Sequence, residues 1–239
     1  MPFSPQPPAP SRRPTWLQRR WFVLGSLTVG LVGGGCFIAW QSQTVGAQAE
    51  ATLHQVSASA GLTLDGRLTH LPAAKMAPVH RGSPDNDQPQ LQLKATRQAL
   101  ERELIRRPTP DGHRTLGRCY LAEGKPLAAF AHLQMAVQQF PRDAALHSDL
   151  GLALLEVART SPAAAEEALD ALDMALRLEP NLLEARYNRA RALEMRGRWD
   201  EARLAWQDYI RRDPDSTWGT AARERLAFLD RYDRTPSQP

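Results

Sequence analysis

His113 and Cys119 are the closest this chain comes to a nucleophile and its base, the pair that would support thiolate chemistry. They are six residues apart on one predicted helix, so they point about 240° apart around its axis and diverge. His132 and His147 fall on different predicted helices, with no carboxylate evidently placed to orient them. Cys36 has Gly33 where a lipidation motif would carry leucine, so it is no acylation site. The sequence contains no GxxxxGK[ST], GxGxxG, GxSxG or HExxH motif, which leaves phosphate-loop, dinucleotide, hydrolase and zincin chemistry without support. No catalytic residue, cofactor or metal ligand is assigned. Glu166, Glu167, Asp170 and Asp173 read as a solvated helix face. Arg186, Arg189, Arg191, Arg196, Arg198 and Arg203 alternate with Glu184, Glu194, Asp200 and Glu201, a pattern of exposed pairs three or four residues apart.

The elements that would position these groups differ sharply along the 239 residues. Residues 1–20 carry four arginines and no acid; residues 21–89 carry three basic and four acidic groups; residues 90–239 carry 23 and 22. The net charge of +4 therefore comes from the N-terminal tail, and no basic stripe on the folded part speaks for nucleic acid. Two cysteines exclude a disulfide framework and a cysteine-rich zinc module.

Trp21–Trp40 is twenty residues without a charge, enough to span about 30 Å of hydrocarbon as a helix. Trp16, Trp21 and Trp40 sit where interfacial aromatics belong. The reading is a single transmembrane anchor. The alternative is an export signal cleaved near Ala49, at the small-x-small site Ala47-Gln48-Ala49, with Arg19-Arg20 resembling a twin-arginine motif. Four arginines precede the span and none follows before Arg67, which places the N-terminus in the cytoplasm and the C-terminal part across the inner membrane, in a bacterial periplasm. Ser26, Gly30 and Gly34 recur every four residues, a small-residue stripe through which two membrane helices could pair into a homodimer. Residues 41–89 are rich in Gln, Ser, Thr, Ala and Pro and read as a flexible linker, although Leu62–Leu68 is less loop-like and suited to docking.

The C-terminal part repeats. Pro141, Pro180 and Pro214 end three similar units, 39 and 34 residues apart, so the middle unit holds five extra residues, placed at 159–163. Gly117 with Ala129, and Ala190 with Ala202, are small residues where two helices would cross; Leu116, Tyr120, Leu133, Trp206 and Tyr209 fill the seam. Gly124 and Gly197 fall in the turns, and the prolines stop each second helix. One such hairpin cannot bury its apolar side, so neighbours must stack.

Glu184-Ala185-Arg186-Tyr187-Asn188-Arg189-Ala190-Arg191-Ala192-Leu193, followed by Gly197–Ala202, resembles the tetratricopeptide repeat, and Leu116-Gly117, Tyr120 and Pro141 resemble it again. Arg189 and Tyr209 depart from it, standing where the family has leucine and a small residue. The resemblance implies an all-α solenoid with repeats 108–143, 144–182 and 183–216; with the readings from charge and composition the chain divides into basic tail 1–20, transmembrane helix 21–40, linker 41–89, flanking helix 90–107, the three repeats, capping helix 217–231 and tail 232–239. It implies a concave groove that binds a protein or peptide segment, lined by Arg114, Arg118 and Leu121, then Ser148, Asp149, Leu152 and Leu155, then Tyr187, Asn188, Arg191 and Met195. Leu152, Leu155 and Tyr187 would give apolar contact, and Arg118 and Arg191 would fork onto an acidic group of the ligand. Arg118→Ala or Tyr187→Ala should then lose the partner without changing melting. Asp149 and Glu184 are out of keeping with the family's clamp for chaperone C-termini.

Asp65-Gly66-Arg67-Leu68 together with Leu146–Leu150, Asn188–Glu194, Ala205–Tyr209 and Asp213–Trp218 resembles the membrane-proximal repeats of bacterial proteins that end in a CHAT peptidase domain. The function expected is a membrane-anchored scaffold. Alternatives are a regulatory or remnant subunit of a CHAT-type proteolytic system and an assembly chaperone like those of cytochrome c maturation.

Overall fold

A computed structural model of the chain describes residues 45–57, 66–70 and 88–234, without the side chains of 232–234. The basic tail, the apolar run Trp21–Trp40 and its Ser26, Gly30 and Gly34 stripe lie outside these residues. Among the described residues no helix is long and apolar enough to cross a membrane.

The described residues form nine helices and no strand: α1 (45–57), α2 (Gln88–Arg106), α3 (Pro110–Ala122), α4 (Pro126–Gln139), α5 (Ala144–Ala158), α6 (Ala164–Leu178), α7 (Leu183–Met195), α8 (Trp199–Arg212) and α9 (Thr217–Arg234). Each helix from α2 onward packs on its successor, and α5 also packs on α3 and α7, so α3, α5 and α7 make a continuous inner layer. The five extra residues of the middle unit are spread out: compared with the units on either side, α5 is longer by two residues, the Arg159–Ala163 connection by two and α6 by one, so the expected placement of all five at 159–163 holds only in part.

Local signals account for the boundaries. Thr109 caps α3 by accepting from the Gly112 amide at 3.2 Å, with Pro110 at the first helical position. Asp143 caps α5 in the same way, accepting from the Leu146 amide at 3.0 Å. Gly124 and Gly197 take positive φ in the turns before α4 and α8. At the α3–α4 crossing a Cβ on Gly117 would stand 2.6 Å from Leu133 Cγ and 3.3 Å from the Ala129 carbonyl oxygen, so only glycine admits this approach.

Two apolar clusters result. One joins α1 to α5 and contains Leu53, Leu93, Leu116, Cys119 and Leu133; the other runs from α5 to α9 around Tyr187, Trp206, Tyr209 and Trp218. α2 docks through buried Leu93, Leu100 and Leu104 and through Arg97, whose guanidinium donates to Glu123 at 2.6 Å and to Glu101, and lies 5.2 Å from the Tyr120 ring centroid. α9 closes the other end with Ala221, Ala222 and Leu229 buried.

The linker expected over 41–89 is not uniform. Residues 45–57 are helical because Ala49, Leu53 and Val56 form a stripe at spacings of four and three, and all three are buried on the repeats. The stripe is short and sits among Gln, Ser, Thr and Ala, which hid it in the composition.

Candidate functional site: a groove filled from within

The inner layer α3–α5–α7 carries a five-residue, non-helical segment of the chain itself, Gly66 to His70. It is held chiefly through its backbone. Asn188 on α7 accepts from the Arg67 amide through Oδ1 and donates to the Arg67 carbonyl through Nδ2, both at 2.8 Å. Asp149 on α5 accepts from the Thr69 amide at 2.9 Å and from its hydroxyl at 2.8 Å. Arg118 on α3 donates to the Thr69 carbonyl, and Glu184 accepts from the His70 amide at 3.3 Å. His70 has φ of 59°, a left-handed turn that ends the run.

Side chains add selectivity. A Cβ on Gly66 would lie 2.4 Å from Leu152 Cδ1 and 2.8 Å from Asn188 Oδ1, and both residues are fully buried. The Arg67 guanidinium donates to the Tyr209 hydroxyl and to Asp213 at 3.3 Å, lies 3.9 Å from Glu184, and stands 5.9 and 5.5 Å from the Tyr209 and Trp218 ring centroids. Tyr209 also donates to Asp213 at 2.6 Å. Burial is the leading cause that holds its hydroxyl well above the usual range. Leu68 is buried against the N-terminal cluster.

Of the residues expected to line the groove, Leu152, Asp149 and Asn188 meet this segment directly, and Arg118 bridges it to α1. Arg118 donates to Glu50 of α1 at 2.9 Å and lies 3.5 Å from Asp149, while the Thr115 hydroxyl also donates to Glu50 at 2.9 Å. Arg118 thus holds a carboxylate supplied by its own chain. Arg114 reaches Asp143 instead of the groove. Arg191 donates to Glu194 at 2.7 Å. Leu121 and Leu155 are core residues, Ser148 is fully buried, and Met195 is half-buried against the C-terminal cluster. Tyr187 is 1% exposed and packs edge-on against Trp206, Tyr209 and Trp218. The expectation that Arg118→Ala or Tyr187→Ala would spare melting is therefore wrong. Both side chains are buried in contacts that hold the fold.

Burial raises the Asp149 carboxyl above its ordinary value, and Arg118 and Thr69 only partly offset this. Tyr209, Asp213 and Glu50 complete the site and were not assigned to it by periodicity. The one signal was Tyr209, a large side chain where the repeat pattern has a small one; here its length brings a hydroxyl to Arg67.

The outer charges pair between helices, Arg186 with Asp208, Arg189 with Asp173 and Arg196 with Glu166, as well as along them. A depression of about 430 Å³ between α6, α7 and α8 is lined by Leu176, Arg186, Arg189 and Leu204, with both arginines already paired. Among the described residues no cluster of three His, Cys, Asp or Glu could hold a metal. Cys119 is fully buried, and burial pushes its thiol up to about 12.

His113 diverges from Cys119 and instead meets His132 of α4, Nδ1 to Nδ1 at 2.9 Å, with the rings stacked at 5.2 Å. Tyr120 stacks on the other side of His132 at 5.5 Å. One ring must donate and the other accept, so the pair admits at most one proton on the facing nitrogens. Burial lowers both pKa values below the ordinary 6.5, and the charge of His113 lowers that of His132 further, against a smaller opposing pull from Glu101. The unfolded chain then takes up protons before the folded one does. Stability is full above 6.5 and falls as pH drops through the window below it. Thermal melts between neutral pH and pH 5 should show a falling midpoint, and His132→Phe should flatten that slope.

The family pattern described as the tetratricopeptide repeat matches residues 93–144 and 148–217, together just over half of the chain. No match was found among curated proteins. Among solved structures, a thermophilic TPR protein of Thermus thermophilus is similar at a TM-score of 0.51 and 21% identity, over 61% of this chain and 76% of that one. MamA is similar at 0.49 and 22%, over 61% and 85%. The second TPR domain of human RPAP3, solved with an HSP70 peptide, is similar at 0.44 and 18%, over 51% and 98%. These likenesses concern the fold. Neither the CHAT-type reading nor the cytochrome-maturation reading gains an observation from the fold or the comparisons.

Proposed function

The chain belongs to the tetratricopeptide repeat family, and on that premise we propose that it is a non-catalytic, membrane-anchored scaffold that takes hold of a protein segment in its inner groove. The observation that carries the reading is the backbone recognition of residues 67–69. Asn188, Asp149 and Arg118, one from each inner helix, are spaced to bind the peptide groups of a chain laid across them. Such contacts accept a main chain whatever its source.

The anchor is the apolar run Trp21–Trp40, oriented by the four arginines before it, with the repeats outside the inner membrane and Ser26, Gly30 and Gly34 offering a face for a homodimer. Retention of the anchor fits the position of Ala49, which is buried inside α1. Cleavage there would remove the first turn of the helix that brings Glu50 to Arg118.

In-cell photo-crosslinking tests the scaffold. A crosslinker at Met195, on an inner helix, is expected to capture a defined protein, identified by mass spectrometry, while one at exposed Glu167 on α6 captures none. Adducts confined to the chain itself, or equal capture from both positions, would end the recruiting role.

A further inference from the structure

We propose that the groove reads a Gly-Arg-apolar-Thr sequence, and that its partner presents such a segment in place of residues 66–69, which act as a tethered competitor. The inference rests on the scaffold reading and specifies its ligand.

Four features define the motif. At the first position a Cβ would strike Leu152 Cδ1 and Asn188 Oδ1, both on fully buried side chains, so any side chain there must displace them. At the second, a guanidinium is met by two carboxylates, Glu184 and Asp213, by the Tyr209 hydroxyl, and by the rings of Tyr209 and Trp218. That subsite selects a delocalised, planar cation over a lysine ammonium, because the flat group both stacks on rings and donates in several directions. At the third, Leu68 is buried; at the fourth, Asp149 accepts from both the amide and the hydroxyl of Thr69. The subsite charge is the reverse of the expected one. The groove arginines are taken up by Glu50 and Glu194, and the ligand brings the cation.

The resident segment buries Leu68 and Thr69 and lays Arg67 over the Tyr209 and Trp218 rings, and the rest of its hold is through polar groups that another peptide can also satisfy. Its tether keeps it at an effective concentration on the order of millimolar. A partner segment of equal chemistry therefore binds weakly to the filled groove and strongly to a vacated one.

The test uses the full chain in detergent micelles and a fluorescent peptide with the sequence of residues 65–71. Gly66→Val and Arg67→Glu vacate the groove by two routes, bulk and charge. Both variants are expected to bind the peptide at least tenfold more tightly than the wild type. Replacing the peptide's arginine by lysine or alanine, or introducing Asp213→Asn into either variant, should cost at least tenfold. No binding to either variant, with melting intact, overturns the proposal, and so does binding indifferent to the arginine. A wild-type chain that runs as a dimer and is dissociated by the peptide would assign the site to a second copy and overturn the partner. A crosslinked partner without the motif would leave the scaffold standing and remove the motif; peptide binding without any cellular partner would do the reverse.

Discussion

Arg118→Ala is expected to lower the unfolding free energy by about 3–5 kcal/mol, because it removes the cation from a buried carboxylate and leaves that charge uncompensated. The Arg118 side chain is 8% exposed and that of Asp149 is 2% exposed, so water cannot replace what is lost. Three links go at once: the Asp149 contact, the ion pair to Glu50 of α1, and the donation to the Thr69 carbonyl. The pH dependence identifies the cause. Burial already raises Asp149 above its unfolded value, and without Arg118 it rises further. A carboxyl whose folded pKa exceeds the unfolded one binds its proton more tightly in the fold, so the deficit of the variant should shrink as pH falls from neutrality. Asp149→Asn in the Arg118→Ala background should recover part of the loss, since the asparagine oxygen still accepts from Thr69. Denaturant titrations of the single and double variants decide it; a deficit that is the same at pH 7 and pH 5 would exclude a stranded carboxylate.

Trp206→Ala should cost a similar amount, about 3–5 kcal/mol, for a different reason. Trp206 is fully buried on α8 and packs edge-to-face with Tyr187 at 4.9 Å between centroids, and its indole donates to Glu194 at 2.7 Å. Truncation opens a cavity at the centre of the α5–α9 cluster. Trp206→Phe keeps the aromatic packing and loses the hydrogen bond, so its cost should be nearer that of one such bond, about 0.5–1.5 kcal/mol, or up to about 3 for a charged acceptor. Equal losses for Ala and Phe would shift the weight from packing to the indole–Glu194 contact. Glu194 keeps Arg191 and Arg225 as partners in either variant.

The repeats were legible because their determinants are local. Pro141, Pro180 and Pro214 stop helices within their own unit, and two of the five extra residues of the middle unit fall between Ala158 and Ala164, the other three lengthening α5 and α6. Gly124 and Gly197 sit in turns for a reason of backbone conformation alone. The groove was legible in its lining and not in its contents. The partners of Asn188 and Asp149 lie 121 and 80 residues away in sequence, and that of Arg118 lies 68 away. No period reports a contact of that kind. Arg118 looked available because Glu50 sits in a stretch whose composition resembles a tether, whereas the Arg191–Glu194 pair, three residues apart on α7, was already legible as a local one. Tyr187 looked like a groove aromatic because the rings that enclose it, Trp206 and Tyr209 on α8 and Trp218 on α9, all come from other helices.

The thiol of Cys119 acquires a use from its position. It is enclosed where α1, α2, α3 and α4 share one cluster, and its proton is held too firmly for a reactive thiolate to form at neutral pH. Alkylation of that sulfur must wait until the surrounding helices part. Its labelling rate, separated from that of Cys36 by peptide mapping, is therefore a clock that counts openings of the N-terminal half of the solenoid without touching any residue of the groove.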